Sequence, residues 1–75
     1  SDLAVEGFGK TIAVEIESRA DHPEQVRRNY EKNIGKFDRV IFVGVGSETT
    51  QRIRRIVPEA EVYDFFDFFK EDESE

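Results

Sequence analysis

The 75-residue chain has no cysteine and no methionine, only two prolines, and a single histidine, His22. The lack of cysteine excludes a disulfide framework and a thiolate metal site alike. It is compatible with a reducing compartment, and a cytoplasmic location is expected. No apolar run approaches the ~20 residues that a membrane span needs, and no signal-peptide pattern opens the chain. A sequence without methionine that opens "SDL" is expected to be a domain cut from a longer protein. Abundant Glu, Arg and Lys alongside no Cys or Met resembles the usage of thermophile proteins. No internal repeat and no second domain are visible. A chain this short implies one domain with a modest core.

The formal net charge of −6 hides a segregation. Residues 1–17 hold four acids and one base, and residues 57–75 hold eight acids and one base. The stretch between them, 18–56, carries nine bases against five acids. The overall acidity argues against general nucleic-acid affinity, whereas the basic middle leaves room for local contacts to DNA. The closing "KEDESE" (70–75) is expected to be a solvated tail beyond a structured 1–69.

Periodicity orders the rest. "DLAV" (2–5) and "TIAVEIE" (11–17) read as two strands around the tight turn "EGFGK" (6–10), where Gly7 and Gly9 tolerate positive φ. Along the second strand Ile12, Val14 and Ile16 share one face, and Ala13, Glu15 and Glu17 share the other. Residues 21–37 predict a helix capped by Asp21 or His22, with Pro23 in its first turn, Gly35 at its stop, and an inward stripe of Val26, Tyr30, Ile34 and Phe37. "RVIFVGV" (39–45) predicts a central strand buried on both faces. Ser47 is the expected cap of a second helix, 48–57, ended by Pro58, with Ile53, Ile56 and Val57 inward. A short strand at 60–64 follows. A helical turn at 65–73, capped by Asp64, would pack Phe65, Phe66 and Phe69 inward. The predicted class is α/β: a small mixed sheet with an N-terminal β-hairpin, then helix-strand-helix-strand. Tyr30, Ile34, Phe37, Ile41, Val43, Ile53 and Val57 are the expected core.

The stretch "TIAVEIESR" (11–19) carries the chemistry. Glu15 and Glu17 lie two apart on a strand, roughly 7 Å apart on one face. Asp2, on the paired strand, is expected near residues 14–15, so three carboxylates would converge at one end of the hairpin. Such a cluster repels itself unless a hard divalent cation neutralises it through oxygen ligands.

"SDLAVEGFGKTIAVEIESR" resembles the active-site hairpin of the PD-(D/E)xK nuclease superfamily, which includes restriction endonucleases, Holliday-junction resolvases and RecB-like nucleases. The resemblance covers residues 1 to about 57 and implies a restriction-endonuclease-like core lacking the first helix. It implies Mg²⁺ as cofactor, held by Asp2, Glu15 and the Ile16 carbonyl. It also implies a water positioned by Glu17, and a scissile phosphate oriented by Arg19 and Gln25, the latter in "HPEQVRRNY". The family's lysine is Glu17 here, an E-x-E variant, and Ser1 stands where the family has proline. The implied activity is phosphodiester hydrolysis by a divergent or degenerate nuclease-like domain of a DNA-handling protein. The alternative is a non-catalytic accessory or protein-interaction domain of a larger ATPase, helicase or mobile-element protein. The partners implied are DNA, through residues 18–56 with Arg28, Arg52 and Arg55 on its backbone, and the remainder of a larger polypeptide.

Other features read as structural. His22 is a helix-start residue. "VGVGSETT" (43–50) places Gly44 and Gly46 between strand and helix but lacks the full G-x-G-x-x-G pattern and the P-loop lysine, so it reads as a plain turn. The phenylalanines at 65–69 read as core, or else as a patch that docks a partner.

Overall fold

A computed structural model describes residues 3–68. Asp2, Phe69 and the acidic tail expected at 70–75 lie outside the described residues. The element order is β1 (Leu3–Gly7), β2 (Lys10–Glu17), α1 (Pro23–Ile34), β3 (Arg39–Gly44), α2 (Ser47–Ile56) and β4 (Glu61–Asp64). The four strands form one sheet in the order β1-β2-β3-β4. β1 and β2 pair antiparallel, with Leu3 opposite Val14, whereas β2, β3 and β4 run parallel. The α/β class, the hairpin and the internal position of β3 therefore agree with the sequence.

The hairpin closes through a two-residue loop, Phe8–Gly9, with φ of 55° and 75°. Positive φ at both central positions is the geometry whose twist matches that of the flanking strands. Glycine adopts it freely and phenylalanine does not, yet Phe8 sits there fully exposed.

Register decides what is buried. Ala13 lies beside Val40, Glu15 beside Phe42, and Phe42 beside Val62. This face meets both helices: Val26 of α1 and Ile53 and Val57 around α2 complete the core cluster, with Tyr30 and Phe37 packed against it. The Tyr30 and Phe42 rings lie 6.4 Å apart. The opposite face carries Leu3, Val5, Ile12, Val14, Ile16, Ile41 and Val43, and among the described residues no helix covers it. A thin dimension of 19 Å fits one sheet and one helix layer.

Several expectations need correction. Ile34 is half exposed, because the buried line of α1 passes through Asn33 instead. Ile41 and Val43 lie on the face away from the helices: Val43 is buried there, as expected of a core residue, whereas Ile41 is only partly buried. Phe65 and Phe66 are exposed and stack edge to face with centroids 5.4 Å apart, not inward. Neither helix has a side-chain cap: His22 precedes α1 and accepts the Gln25 and Val26 N–H groups through its carbonyl. Gly46, at φ 102°, precedes α2, which makes Ser47 the first helical residue and not the cap. Helix α1 ends at Ile34, and Gly35 there keeps a right-handed conformation.

Gly44 permits a close approach of α2 to β3. A Cβ on it would come within 2.5 Å of Thr50 Oγ1 and 2.8 Å of Thr50 Cα. That contact seats the first turn of α2 on β3. Thr50 Oγ1 in turn lies 2.7 Å from Asp64 Oδ1 and 2.8 Å from the Gly46 carbonyl.

Candidate functional site

In open α/β sheets, ligands bind outside the carboxyl ends of parallel strands. At that end of β2 the chain turns through Ser18–His22 into α1 and leaves a cleft of about 240 Å³. Glu17, Ser18, Arg19, Asp21, His22 and Gln25 line it, over Ala20 and Val26. Ala20 is buried in a left-handed conformation, φ 57°, which is uncommon for a residue with a Cβ. It turns the chain sharply enough for α1 to start directly above the cleft.

Helix α2 braces this loop. The Thr49 hydroxyl donates to the Ser18 carbonyl at 3.0 Å. Arg52 Nη1 donates to the Arg19 carbonyl at 2.6 Å and lies 3.4 Å from Asp21 Oδ1. The Val45 N–H donates to the Glu17 carbonyl at 2.9 Å, which ties the adjacent strand ends together.

Three of the expected residues, Glu17, Arg19 and Gln25, share this cleft. The Arg19 side chain is 81% exposed, with its guanidinium 3.9 Å from Asp21. Gln25 lies on the rim: its Nε2 donates to Asn29 Oδ1 and its Oε1 accepts from Arg28 Nη1, both at 2.9 Å. Arg19 lines the cleft, and Arg28 and Arg52 touch its lining through Gln25 and through Arg19 and Asp21, while Arg55 is exposed one turn further along α2.

Glu15 is placed differently. It shares Glu17's face of β2 but is only 3% exposed, beneath α1, and is not among the residues lining the cleft. Asn33 Nδ2, itself buried, donates to Glu15 Oε2 at 3.1 Å. The Ile16 side chain points to the open face, away from both acids. Asp2 lies outside the described residues. Among those described, no three acidic or histidine side chains come together to hold a metal ion. Mg²⁺ demands near-octahedral oxygen ligation; of the acids expected to supply it, Glu15 is buried against Asn33 and Glu17 lines the cleft.

At the opposite end of the sheet, two arginines are committed to ion pairs. Arg39 Nη2 and Nε meet the Glu61 carboxylate at 2.6 and 3.0 Å, a two-pronged contact. Arg27 reaches Glu59 at 2.6 Å and Glu31 at 3.1 Å. Hydrogen bonds from these guanidiniums hold the Glu59 and Glu61 carboxyls below their ordinary range.

Asn33, Thr49 and Arg52 as loop and carboxylate anchors were missed in the sequence. Counting from Val26 and Tyr30, positions 33 and 34 both fall on the inward face of α1, and the structure buries the polar residue of the two. The chain has no significant match among protein-family models, curated proteins or solved structures.

Proposed function

We propose that the chain is a degenerate nuclease-like domain that receives a phosphodiester backbone at the cleft without cleaving it. The observation that carries this reading is the separation of the two acids: Glu17 stands in the cleft, while Glu15 is withdrawn beneath α1 and bound by Asn33. The missing lysine at position 17 points the same way. Arg19, Arg28 and Arg52 in and around the cleft favour an anionic backbone through charge-assisted hydrogen bonds. Arg27 and Arg39 are held in ion pairs of 2.6 Å, closer than the 3.9 and 3.4 Å that separate Arg19 and Arg52 from Asp21, and contribute less.

A second reading, hydrolysis by the same cleft, is favoured by the shared lining of Glu17, Arg19 and Gln25. One pair of assays separates the two. Anisotropy of labelled single- and double-stranded oligonucleotides, between about 50 and 200 mM salt, should show binding that falls with salt and falls further in Arg19→Ala. Plasmid incubated with Mg²⁺ or Mn²⁺ should stay intact. Nicking abolished by Glu17→Gln would establish hydrolysis instead. Absence of any binding at low salt would overturn both and leave the accessory-domain alternative.

A further inference from the structure

Parallel strands are ordinarily covered on both faces, yet among the described residues helices cover β2, β3 and β4 on one. On the other face Leu3, Val5, Ile16, Tyr63 and Phe68 are 50, 44, 49, 44 and 54% exposed. Between them lies an apolar groove of about 310 Å³, lined by Val14, Ile41, Val43, Tyr63 and Phe68 with Arg39 at its end. From the geometry of this face we infer that its occupant is a second copy of the chain, the two sheets stacking about a twofold axis.

Width favours this occupant. Four strands spaced ~4.8 Å, with about six residues at ~3.3 Å each, give a face of roughly 19 × 20 Å. A single helix, ~10–12 Å across, covers about half of it. An identical sheet covers all of it, at the ~10 Å separation of stacked sheets. The two faces project about 760 Å² together. That projection lies below the ~1,200 Å² from which stable specific interfaces begin. The association is therefore weak and concentration-dependent.

The charges permit it. The charged side chains of the strands on this face are Lys10, Arg39 and Glu61, each the first residue of its strand. Arg39 and Glu61 neutralise each other through their forked pair. With the twofold axis perpendicular to the strands, the charged starts of the two copies fall at opposite rims, and the apolar middles meet. This inference is independent of what the cleft binds.

Sedimentation equilibrium of the full chain over a wide concentration range tests it. The mass should rise from 8.7 kDa towards twice that value, and the rise should persist at high salt. Ile16→Lys, at a half-exposed position, should weaken association by at least about tenfold while the far-UV circular dichroism is unchanged. Val5→Lys, on a different strand, should do the same, so that misfolding of one variant leaves the other decisive. Ile34→Lys, on the helix side, should leave association intact. A wild-type chain that stays at 8.7 kDa throughout, a dimer untouched by both open-face substitutions, or one that dissolves at high salt would overturn the inference.

Discussion

Replacing Asn33 with leucine keeps approximately the side-chain volume and removes the N–H that reaches Glu15 Oε2 at 3.1 Å. The Glu15 carboxylate stays buried beneath α1 and loses that donor. A hydrogen bond to a charged group contributes about 1.5–3 kcal/mol, and depriving a buried charge of one costs at least that much. The expected loss is therefore about 2–3 kcal/mol, against a total of about 4–11 kcal/mol for a domain of this length. Glu15→Gln differs in kind. It keeps the shape and an oxygen for Asn33 to donate to, and it removes the cost of burying a charge, so it should shift stability by no more than about 1 kcal/mol. The double substitution Glu15→Leu/Asn33→Leu should cost clearly less than the two single changes added together, because the two side chains are hydrogen-bonded to each other. Urea unfolding followed by far-UV circular dichroism reads all three. With m near 1 kcal/mol/M, the Asn33→Leu midpoint should drop by about 2 M. A midpoint within about 0.5 M of wild type, with m unchanged, would show that Asn33 is not what stabilises the carboxylate.

Other outcomes follow from the same structure. Phe42→Ala, at a fully buried ring, should cost about 3–5 kcal/mol, whereas Ile41→Ala on the open face should cost about 1 kcal/mol; equal urea midpoints would show the two faces to be equally covered. Gly44→Ala drives a methyl into Thr50 and should cost about 1–3 kcal/mol, seen as a lower thermal midpoint. Phe8→Asn relieves a left-handed backbone at an exposed position and should stabilise by about 1 kcal/mol; a lower urea midpoint would reveal a contact that compensates for the strain. Glu59 and Glu61 have folded values depressed below the ordinary 4.5. Their contribution is present above pH 4.5 and lost as pH falls through the depressed values, so Arg27→Gln with Arg39→Gln should flatten the acid limb of a stability–pH profile.

The hairpin, both crossovers and the central strand were legible because they rest on local rules: glycines at 7 and 9, Pro23 at a helix start, and a nearly continuous apolar run at 39–45. Which face of the sheet the helices cover was not legible. Alternation on β2 makes Ile12, Val14 and Ile16 look like the core side, yet both helices settle on Ala13, Glu15 and Glu17. The decision is made on the neighbouring strands, where Phe42, Val40 and Val62 offer large apolar side chains to α1 and α2, and the small Ala13 lets them approach. Glu15 follows its strand into the interior, and Asn33 answers it. Sequence spacing put Glu17, Arg19 and Gln25 near one another because a strand end and the next helix start are always close. It gave no means of telling that Glu15, two residues earlier, lies under the helix.

The strand order β1-β2-β3-β4 has a kinetic consequence. Every strand pairs with its immediate neighbour in the chain, so no pairing waits for the two ends of the molecule to meet. Each loop closed during folding spans one turn or one helix, and the entropy lost grows only logarithmically with such lengths. A chain of this topology should fold within milliseconds, between the helical bundles and the β-sandwiches in rate. It can grow from a β2-α1-β3 nucleus in either direction, with β1 adding by a two-residue turn and β4 by the α2 crossover. Substitutions at Phe42 should therefore slow folding, while those in β4 should mainly speed unfolding.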